Sequence, residues 1–424
     1  MKLIIKNARV IDSKSKIDDV LDILIEGKKI AKIDKNIKDN DADVFDARNL
    51  VASAGFVDLH VHLREPGFEY KETILSGSRA ATAGGFTTVC CMPNTNPVID
   101  NQGVVEFIIS ASKKAGLINV LPIGAITKGS QGVELSEMSD LKDVGVVAVS
   151  DDGKPLSNAA IMRRALEYAG MLKLPVIAHS EDTDLSAGGV MHEGYMSTKL
   201  GLKGITRVAE TSMVSRDIEL ARYTGSHLHI AHVSCRESVH LIRDAKKNGV
   251  NVSAECTPHH FSLTVESLVT YDPNTKVNPP LRDIDDVKAI CEGLKDGTID
   301  CIATDHAPHA ESEKDVEFDA APFGMIGLET ALALGISNLV EKGILTLTQL
   351  MDKMSYNPSK IININKGYIA VGADADITVF DPKQKWEVTE GDFYSKSKNS
   401  PFLGNTLKGR VILTICGGKK VFSI

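Results

Sequence analysis

Short alternating runs of apolar and polar residues occupy both ends of the chain. Near the amino terminus, this period of two predicts four β-strands separated by polar turns, at residues 2–6, 8–11, 21–25 and 29–33. After residue 360 the same pattern predicts three more strands, at residues 377–380, 411–415 and 420–422. Because the termini of a domain often lie close together, we expect both ends to combine in one small β domain, a β-sandwich.

The middle of the chain alternates eight apolar runs with helix-like segments. The runs predict buried strands at residues 55–61, 87–92, 119–123, 144–149, 176–178, 228–231, 250–254 and 300–303. Helical spacing lies between them, for example at residues 73–83, 159–172, 210–224, 237–248 and 285–295. Eight strands alternating with helices over about 300 residues fit an α/β fold of the (β/α)8 barrel type, as in TIM. A doubly wound open sheet is the alternative, disfavoured because no Gly-rich dinucleotide motif follows the first strand.

These patterns predict three segments. Residues 1–53 and 361–424 supply the two parts of the small β domain, and residues 54–360 form the barrel. The alternation of strands and helices between the two all-β ends is the basis for both boundaries.

Composition narrows the classes of partner and compartment. A formal net charge of −8 without a basic stripe disfavours nucleic-acid binding. The longest uncharged stretch, residues 80–99, is interrupted by glycine, proline and asparagine, so no membrane span is expected. The seven cysteines form no Cys-x-x-Cys pair, which disfavours a disulfide scaffold or a thiolate zinc site. We therefore expect a cytoplasmic protein.

Six ionisable residues stand at the ends of the predicted strands. His60 and His62 end the first strand, and the period of two points both side chains the same way. The others follow the fourth, fifth, sixth and eighth strands: Asp152, His179, His232 and Asp305. Each is unremarkable alone, but independent turn residues have no reason to fall at the ends of five strands. Imidazole and carboxylate ligands suit zinc or another borderline divalent ion, and a shared carboxylate can bridge two ions.

Three further features can be interpreted from their positions in the sequence, and two of them have a simpler alternative. Arg64 lies two residues after His62 on the same side of an extended chain, so it can bind a substrate carboxylate in the same pocket; the alternative is a surface ion pair with Glu65. The segment 310–322, which begins with charged residues, predicts a lid, with a plain surface loop as the alternative. His229 lies three residues before His232, so strand alternation places it on the opposite face.

The candidate ligands lie within longer motifs that follow one another along nearly the whole chain. Among them are Gly55-Phe56-Val57-Asp58-Leu59-His60-Val61-His62, Met92-Pro93-Asn94-Thr95-Asn96-Pro97, Ser150-Asp151-Asp152-Gly153, His179-Ser180-Glu181 and Ala303-Thr304-Asp305-His306-Ala307-Pro308-His309. In this order they resemble the motifs of the cyclic amidohydrolases, and among those the dihydroorotases of the bacterial long-chain type.

The resemblance implies a role for each matching residue. One zinc ion would be held by His60, His62, Asp152 and Asp305, and a second by Asp152, His179 and His232. Asp152 would bridge the two ions, where many relatives use a carboxylated lysine. The substrate carboxylate would contact Arg64, Asn94 and His309, and His62 would also touch the substrate. The ring would contact Asn278 and the backbone of Phe323 and Gly324.

The implied reaction is the reversible cyclisation of N-carbamoyl-L-aspartate to dihydroorotate, a step of pyrimidine biosynthesis. In the hydrolytic direction, water activated by metal attacks the ring amide and Asp305 carries the proton to the ring nitrogen. The alternatives are another cyclic-amide hydrolase (hydantoinase, dihydropyrimidinase or allantoinase) and an inactive relative that serves as a scaffold. A small-molecule substrate, a homodimer and association with another enzyme of the pathway are the expected partners.

Overall fold

The computed structural model describes residues 2–424. The amino-terminal segment forms five strands: β1 (Lys2–Asp12), β2 (Ile17–Glu26), β3 (Lys29–Asp34), β4 (Asp43–Asp46) and β5 (Val51–Ala54). The predicted strands at residues 2–6 and 8–11 are one strand, β1. Its register with β2 shifts between Ile5 and Ala8, and such an irregularity resets the alternation of buried side chains.

The middle segment contains eleven short strands, which include one at each of the eight apolar runs. The strands are β6 (Phe56–Val61), β7 (Phe86–Cys91), β8 (Asn119–Pro122), β9 (Gly124–Ala125), β10 (Val149–Ser150), β11 (Val176–Ala178), β12 (Met191–His192), β13 (Gly204–Ile205), β14 (Leu228–Ile230), β15 (Val252–Cys256) and β16 (Cys301–Ile302). The run at 144–149 contributes only its last residue, since Val144 and Gly145 form a turn, where Gly145 has a φ of 111°, and the strand begins at Val149.

Parallel pairing organises these strands into two sheets. One sheet has the order β6-β7-β8 and the other has the order β9-β10-β11-β14-β15-β16, while β12 and β13 pair with each other. The two sheets meet on both sides: β8 and β9 flank Ile123, and Val61 of β6 pairs in parallel with His306, just after β16. Every residue of β6, β7 and β15 is buried, as is typical of parallel strands covered on both faces.

Helices separate the parallel strands. They are α1 (Ile74–Ala83), α2 (Gln102–Ala115), α3 (Met138–Asp143), α4 (Ala159–Met171), α5 (Thr183–Ser186), α6 (Tyr195–Leu200), α7 (Arg207–Thr224), α8 (Arg236–Lys247), α9 (Pro258–Ser262), α10 (Ile284–Asp296), α11 (Glu311–Lys314), α12 (Ala331–Gly335), α13 (Leu347–Met354) and α14 (Tyr356–Ile361). Polar caps begin several of them; the Thr73 hydroxyl, for example, accepts the Ser76 N–H at the start of α1. Among residues 2–424, no helix combines the length and the apolar character that crossing a membrane requires.

Strands from both ends of the chain form one mixed β-sheet, with antiparallel and parallel pairs. Strands β17 (Ile377–Glu387), β18 (Thr406–Cys416) and β19 (Lys419–Ser423) join the amino-terminal strands in the order β19-β18-β17-β5-β1-β2-β3, with β4 paired to β1. The sequence predicts a sandwich of two sheets, whereas hydrogen bonds connect all eight strands into one. The strands of the two chain ends belong to the same sheet because β17 pairs directly with β5.

Candidate metal centre

All six predicted ligands meet at the carboxyl ends of the parallel strands, and Asp152 lies at the centre of the group. Its Oδ1 atom is 3.4 Å from His60 Nε2, 3.4 Å from His179 Nδ1 and 3.8 Å from His232 Nε2. Its Oδ2 atom is 3.5 Å from His62 Nε2. One carboxylate therefore lies within reach of four imidazoles that come from three different strand ends.

Asp305 approaches the same group from the end of β16. Its Oδ1 atom lies 3.1 Å from His62 Nε2 and 3.6 Å from His60 Nε2. On the far side of Asp152, His179 Nδ1 and His232 Nε2 are only 2.9 Å apart. The six side chains thus form two neighbouring clusters around Asp152, with His62 and Asp305 on one side and His179 and His232 on the other.

The donor atoms of this group fit a divalent metal ion. Two sets of side chains each bring one ligand atom within 4.8 Å of the others: His60, His62 and Asp305, and His60, Asp152 and His232. The buried atoms His60 Nε2 and Asp152 Oδ1 have no hydrogen-bond partner. Buried polar atoms without partners are costly, and a cation between them would satisfy both.

The electrostatics of the group point the same way. Burial favours neutral side chains, but the charge of His60 and the nearby imidazoles of His179 and His232 hold the pKa of Asp152 well below its usual range. Against the same burial, the neighbouring carboxylate of Asp152 and the hydrogen bond to Glu181 raise the pKa of His179 to about 10. The carboxylates therefore attract positive charge strongly, and a metal ion would supply it to neutral imidazoles, the form in which histidine coordinates.

The backbone turns sharply where two ligands leave their strands. His232 and Asp305 have positive φ values of 32° and 47°, a region that residues other than glycine seldom occupy. The turn after β14 also breaks the alternation on which the prediction for His229 relied. That prediction is wrong: His229 is fully buried, and its Nε2 lies 3.1 Å from Glu255, whose other oxygen contacts His60.

A cavity of about 220 Å³ opens above the ligands. Its wall includes every residue that the sequence predicts to bind substrate: His62, Arg64, Asn94, Asn278, His309, Phe323 and Gly324. The Arg64 Nε–H donates to the Pro308 carbonyl (3.1 Å), and its Nη2 lies 3.3 Å from His309 Nε2. Glu65 instead accepts the N–H of Ile74 at the start of α1 (2.7 Å), so the alternative of an Arg64–Glu65 surface pair is not observed.

The comparisons of sequence agree on one family. A family model described as "Dihydro-orotase-like" matches residues 49–238. The dihydroorotase of Pelotomaculum thermopropionicum is 56% identical over 99% of this chain and 98% of its own length. The dihydroorotase of Geobacter metallireducens is 54% identical over 100% of both chains. The chain belongs to the dihydroorotase family.

Solved structures similar to this dihydroorotase-family chain carry other names. The L-hydantoinase (dihydropyrimidinase) of Arthrobacter aurescens superposes with a TM-score of 0.88 at 26% identity, over 99% of this chain and 96% of its own. The dihydropyrimidinase of Brevibacillus agri superposes with a TM-score of 0.86 at 25% identity, over 100% and 95%. The fold is therefore shared more widely than the sequence, and the sequence is much closer to the dihydroorotases.

Two acidic residues of this dihydroorotase-family site escaped prediction. Glu255 is the last but one residue of β15, the strand at the seventh apolar run, and its Oε1 lies 2.8 Å from His60 Nδ1. Glu181 accepts the side-chain amide N–H of Asn278 (2.8 Å) and lies 3.1 Å from His179 Nε2. Two features of the sequence could have identified these acids. Glu255 directly follows the seventh apolar run, and Glu181 lies two residues after the predicted ligand His179.

The segment predicted as a lid connects two residues of the cavity wall, His309 and Phe323. Its first residues form α11, where the buried Lys314 donates its Nζ–H groups to the carbonyls of Pro273 (2.9 Å) and Pro322 (2.8 Å). Phe318 is buried as well, so this segment has an apolar anchor that its charged beginning does not reveal. Whether the segment opens stays a prediction.

Proposed function

We propose that this protein is a zinc-dependent dihydroorotase that interconverts N-carbamoyl-L-aspartate and dihydroorotate in pyrimidine biosynthesis. The observation that carries the proposal is the convergence of six buried imidazole and carboxylate side chains below a cavity that contains Arg64. Membership of the dihydroorotase family over the whole chain supports the same reaction.

The scaffold behind this proposal is a closed barrel. We infer that the two parallel sheets form one (β/α)8 barrel over residues 54–360, with residues 1–53 and 361–424 as the β domain. The continuity of β8 and β9 through Ile123, and the bridge of Val61 with His306, join the sheets at both sides and support the closure. Barrels of this kind carry their chemistry at the carboxyl ends of the strands, where the six ligands lie.

Zinc suits the donor set because every ligand is an imidazole nitrogen or a carboxylate oxygen. His60, His62, Asp152 and Asp305 would hold one ion, and Asp152, His179 and His232 would hold the second. Asn94 Oδ1 lies 2.9 Å from His62 Nδ1 and therefore leaves Nε2 free to coordinate. Bound zinc would polarise the amide carbonyl and lower the pKa of water from about 15.7 to about 7.

Asp305 is the group best placed to move the proton. It is buried, lines the cavity and is held ionised by the neighbouring imidazoles against the effect of burial on its pKa. In hydrolysis a C–O bond forms, the ring C–N bond breaks, and Asp305 carries the proton from water to the departing nitrogen. In cyclisation it removes the proton from that nitrogen, as microscopic reversibility requires.

Recognition of the substrate rests on Arg64 and on Asn278. Both substrates carry carboxylates, and the guanidinium of Arg64 offers paired donors to such a group, next to His309 and Asn94. Burial and the charges of Arg64 and Lys71 lower the pKa of His309, so its ring is neutral at pH 7. Because Asn278 donates its amide N–H to Glu181, its carbonyl oxygen is left to accept an N–H of the ring.

Hydrolysis of a hydantoin or a dihydropyrimidine is the competing function, favoured by the names of the superposed structures. Purified protein should be assayed with dihydroorotate, N-carbamoyl-L-aspartate, hydantoin and allantoin, together with its zinc content. We expect turnover of the first two compounds and bound zinc. A preference for hydantoin would replace this proposal with its competitor, and a metal-free protein without turnover after zinc is added would favour an inactive scaffold.

The homodimer, a partner enzyme of the same pathway and the cytoplasmic location stay predictions. Each concerns contacts or surroundings outside a single chain. Sedimentation of the purified protein measures the first of them directly.

A further inference from the structure

A chain of buried hydrogen bonds runs from the metal centre into the interior, between β14 and β15. It begins at His60, whose Nδ1 lies 2.8 Å from Glu255 Oε1, and continues from Glu255 Oε2 to His229 Nε2 at 3.1 Å. His229 Nδ1 and His227 Nε2 each lie 2.8 Å from the Ser253 hydroxyl oxygen. His60, His229 and Glu255 are 0% exposed.

The contacts of Glu255 define which nitrogen of His60 carries the proton. An ionised carboxylate only accepts hydrogen bonds, so His60 donates its Nδ1–H to it. The lone pair of the ring then lies on Nε2, the atom that faces Asp152 at 3.4 Å and Asp305 at 3.6 Å without a hydrogen-bond partner. The ring orientation is therefore the one that metal coordination through Nε2 needs.

The same carboxylate also touches a second ligand segment. The backbone N–H of His232 points to Glu255 Oε1 at 3.4 Å, and the N–H of the next residue, Val233, donates to the backbone carbonyl of Glu255 at 2.9 Å. Glu255 is thus placed between a ligand on β6 and a ligand after β14. Its position bears on both clusters of the proposed metal centre.

We propose that Glu255 is a positioning residue that fixes the tautomer and orientation of His60, and that His229 holds Glu255 for this purpose. The proposal rests on the metal centre of the proposed function. In the consistent arrangement, His227 donates to Ser253, the Ser253 hydroxyl donates to His229 Nδ1, and His229 Nε2–H donates to Glu255. Each member of the chain then has one defined role, and Glu255 cannot rotate without losing two bonds.

Zinc affinity of the metal-stripped protein, measured by competition with a chelator, tests the proposal. Glu255→Gln keeps the shape of the side chain and removes its charge. We expect a loss of zinc affinity of about 10–100-fold, the range typical of lost partners behind a metal ligand. The visible spectrum of the cobalt-substituted protein should also change, because it reports ligand geometry. A zinc affinity within about twofold of the parent overturns the proposal.

Glu329→Gln is the matched control. Glu329 is a buried carboxylate that accepts the backbone N–H groups of Tyr394 and Ser395, so the same substitution there should leave zinc affinity unchanged. Urea unfolding of the metal-free variants separates a structural role from a positioning one. If Glu255→Gln lowered the free energy of unfolding and kept the parental zinc affinity, the proposal would be wrong.

Substitutions at His229 keep the test decisive if Glu255→Gln does not fold. The amide of His229→Gln can replace Nε2 and donate to Glu255, whereas that of His229→Asn can replace only Nδ1 and reach Ser253. We expect His229→Asn to lose zinc affinity by about tenfold and His229→Gln to lose less. Equal affinities for the two variants overturn the proposal. If the parent itself binds no zinc, the proposed function fails instead.

Discussion

The sheet built from the chain ends and the parallel sheets place their charges in opposite ways. In the terminal sheet, the ion pairs of β1 and β2 lie at the surface, such as that of Arg9 with Asp18 at side-chain exposures of 48% and 46%, and the buried carboxylates Asp12 and Asp22 accept backbone N–H groups. Its inner face is apolar, and residues such as Ile23, Ile377 and Leu413 form one core. This region is stabilised by removal of apolar surface from water.

At the carboxyl ends of the parallel strands the charges are inside. Asp152, Asp305 and Glu255 are each at most 8% exposed, and histidines surround them. Burial of charge costs free energy unless each group is paired. The side chains of this region therefore do not maximise stability, as is typical of a functional site. The charges buried around the proposed metal centre are arranged for its chemistry, whereas the exposed pairs of the terminal sheet contribute little to stability, so each region should respond differently to substitution.

Metal removal should produce the largest difference between the responses of the two regions. Dialysis against a chelator is expected to abolish turnover, since the acidity of water and the polarity of the carbonyl both depend on the ion. Zinc added back should restore the rate. The exposed-pair variant Arg9→Ala serves as the control and should lose and regain activity as the parent does. Parental turnover in protein shown by elemental analysis to hold no metal would contradict the proposed function.

Asp305→Ala removes the proposed proton carrier and is expected to lower kcat by about 10²–10⁴-fold. The remaining ligands of the two clusters should retain part of the zinc, which elemental analysis measures alongside the rate. Near-parental kcat would show that another group moves the proton.

Leu413→Ala tests the opposite region. Leu413 is fully buried in the core of the terminal sheet, and its truncation should lower the free energy of unfolding by about 2–5 kcal/mol. Because the side chain is remote from the metal centre, kcat/KM of the folded variant should match that of the parent. Urea unfolding and steady-state kinetics on one preparation measure both, and a large loss of kcat/KM would mean that the regions are coupled.

Arg64→Met should weaken recognition of the substrate carboxylate. A hydrogen bond to a charged group is worth about 1.5–3 kcal/mol, so kcat/KM should fall by about 10–100-fold, mainly through KM. Zinc content should stay at the parental value. An unchanged KM for both substrates would assign the carboxylate to another residue.

Arg9→Ala is the smallest change expected. Exposed ion pairs contribute about 0.2–1 kcal/mol, so the free energy of unfolding should fall by no more than that, and less at high salt. A denaturation series at two salt concentrations measures it. A loss beyond about 2 kcal/mol would place this pair in the same class as the buried charges.

Much of the scaffold was accessible from sequence patterns. The apolar runs correspond to strands throughout residues 54–360, and the predicted helices are present within a few residues of their expected ends. The prediction failed where local irregularities reset a period. Two predicted strands are one strand with a bulge, β1, and the run at 144–149, which begins with a turn at Gly145, contributes one residue to the two-residue strand β10. A period of two holds only while the backbone stays extended, and a single residue with another φ ends it.

The residue types at the strand ends, and hence the choice of candidate ligands and the family, followed from the sequence alone. The tertiary structure decided which side chains support those ligands. His60 and Glu255 are 195 positions apart, and their contact depends on how neighbouring strands stack, which no local pattern encodes. His229 and the later His232 both face inward because the turn after β14 breaks the alternation between them, and the two ends form one sheet because β17 pairs with β5. Short-range periods determine which residues a strand presents, whereas hydrogen-bond partners are chosen by packing across the whole chain.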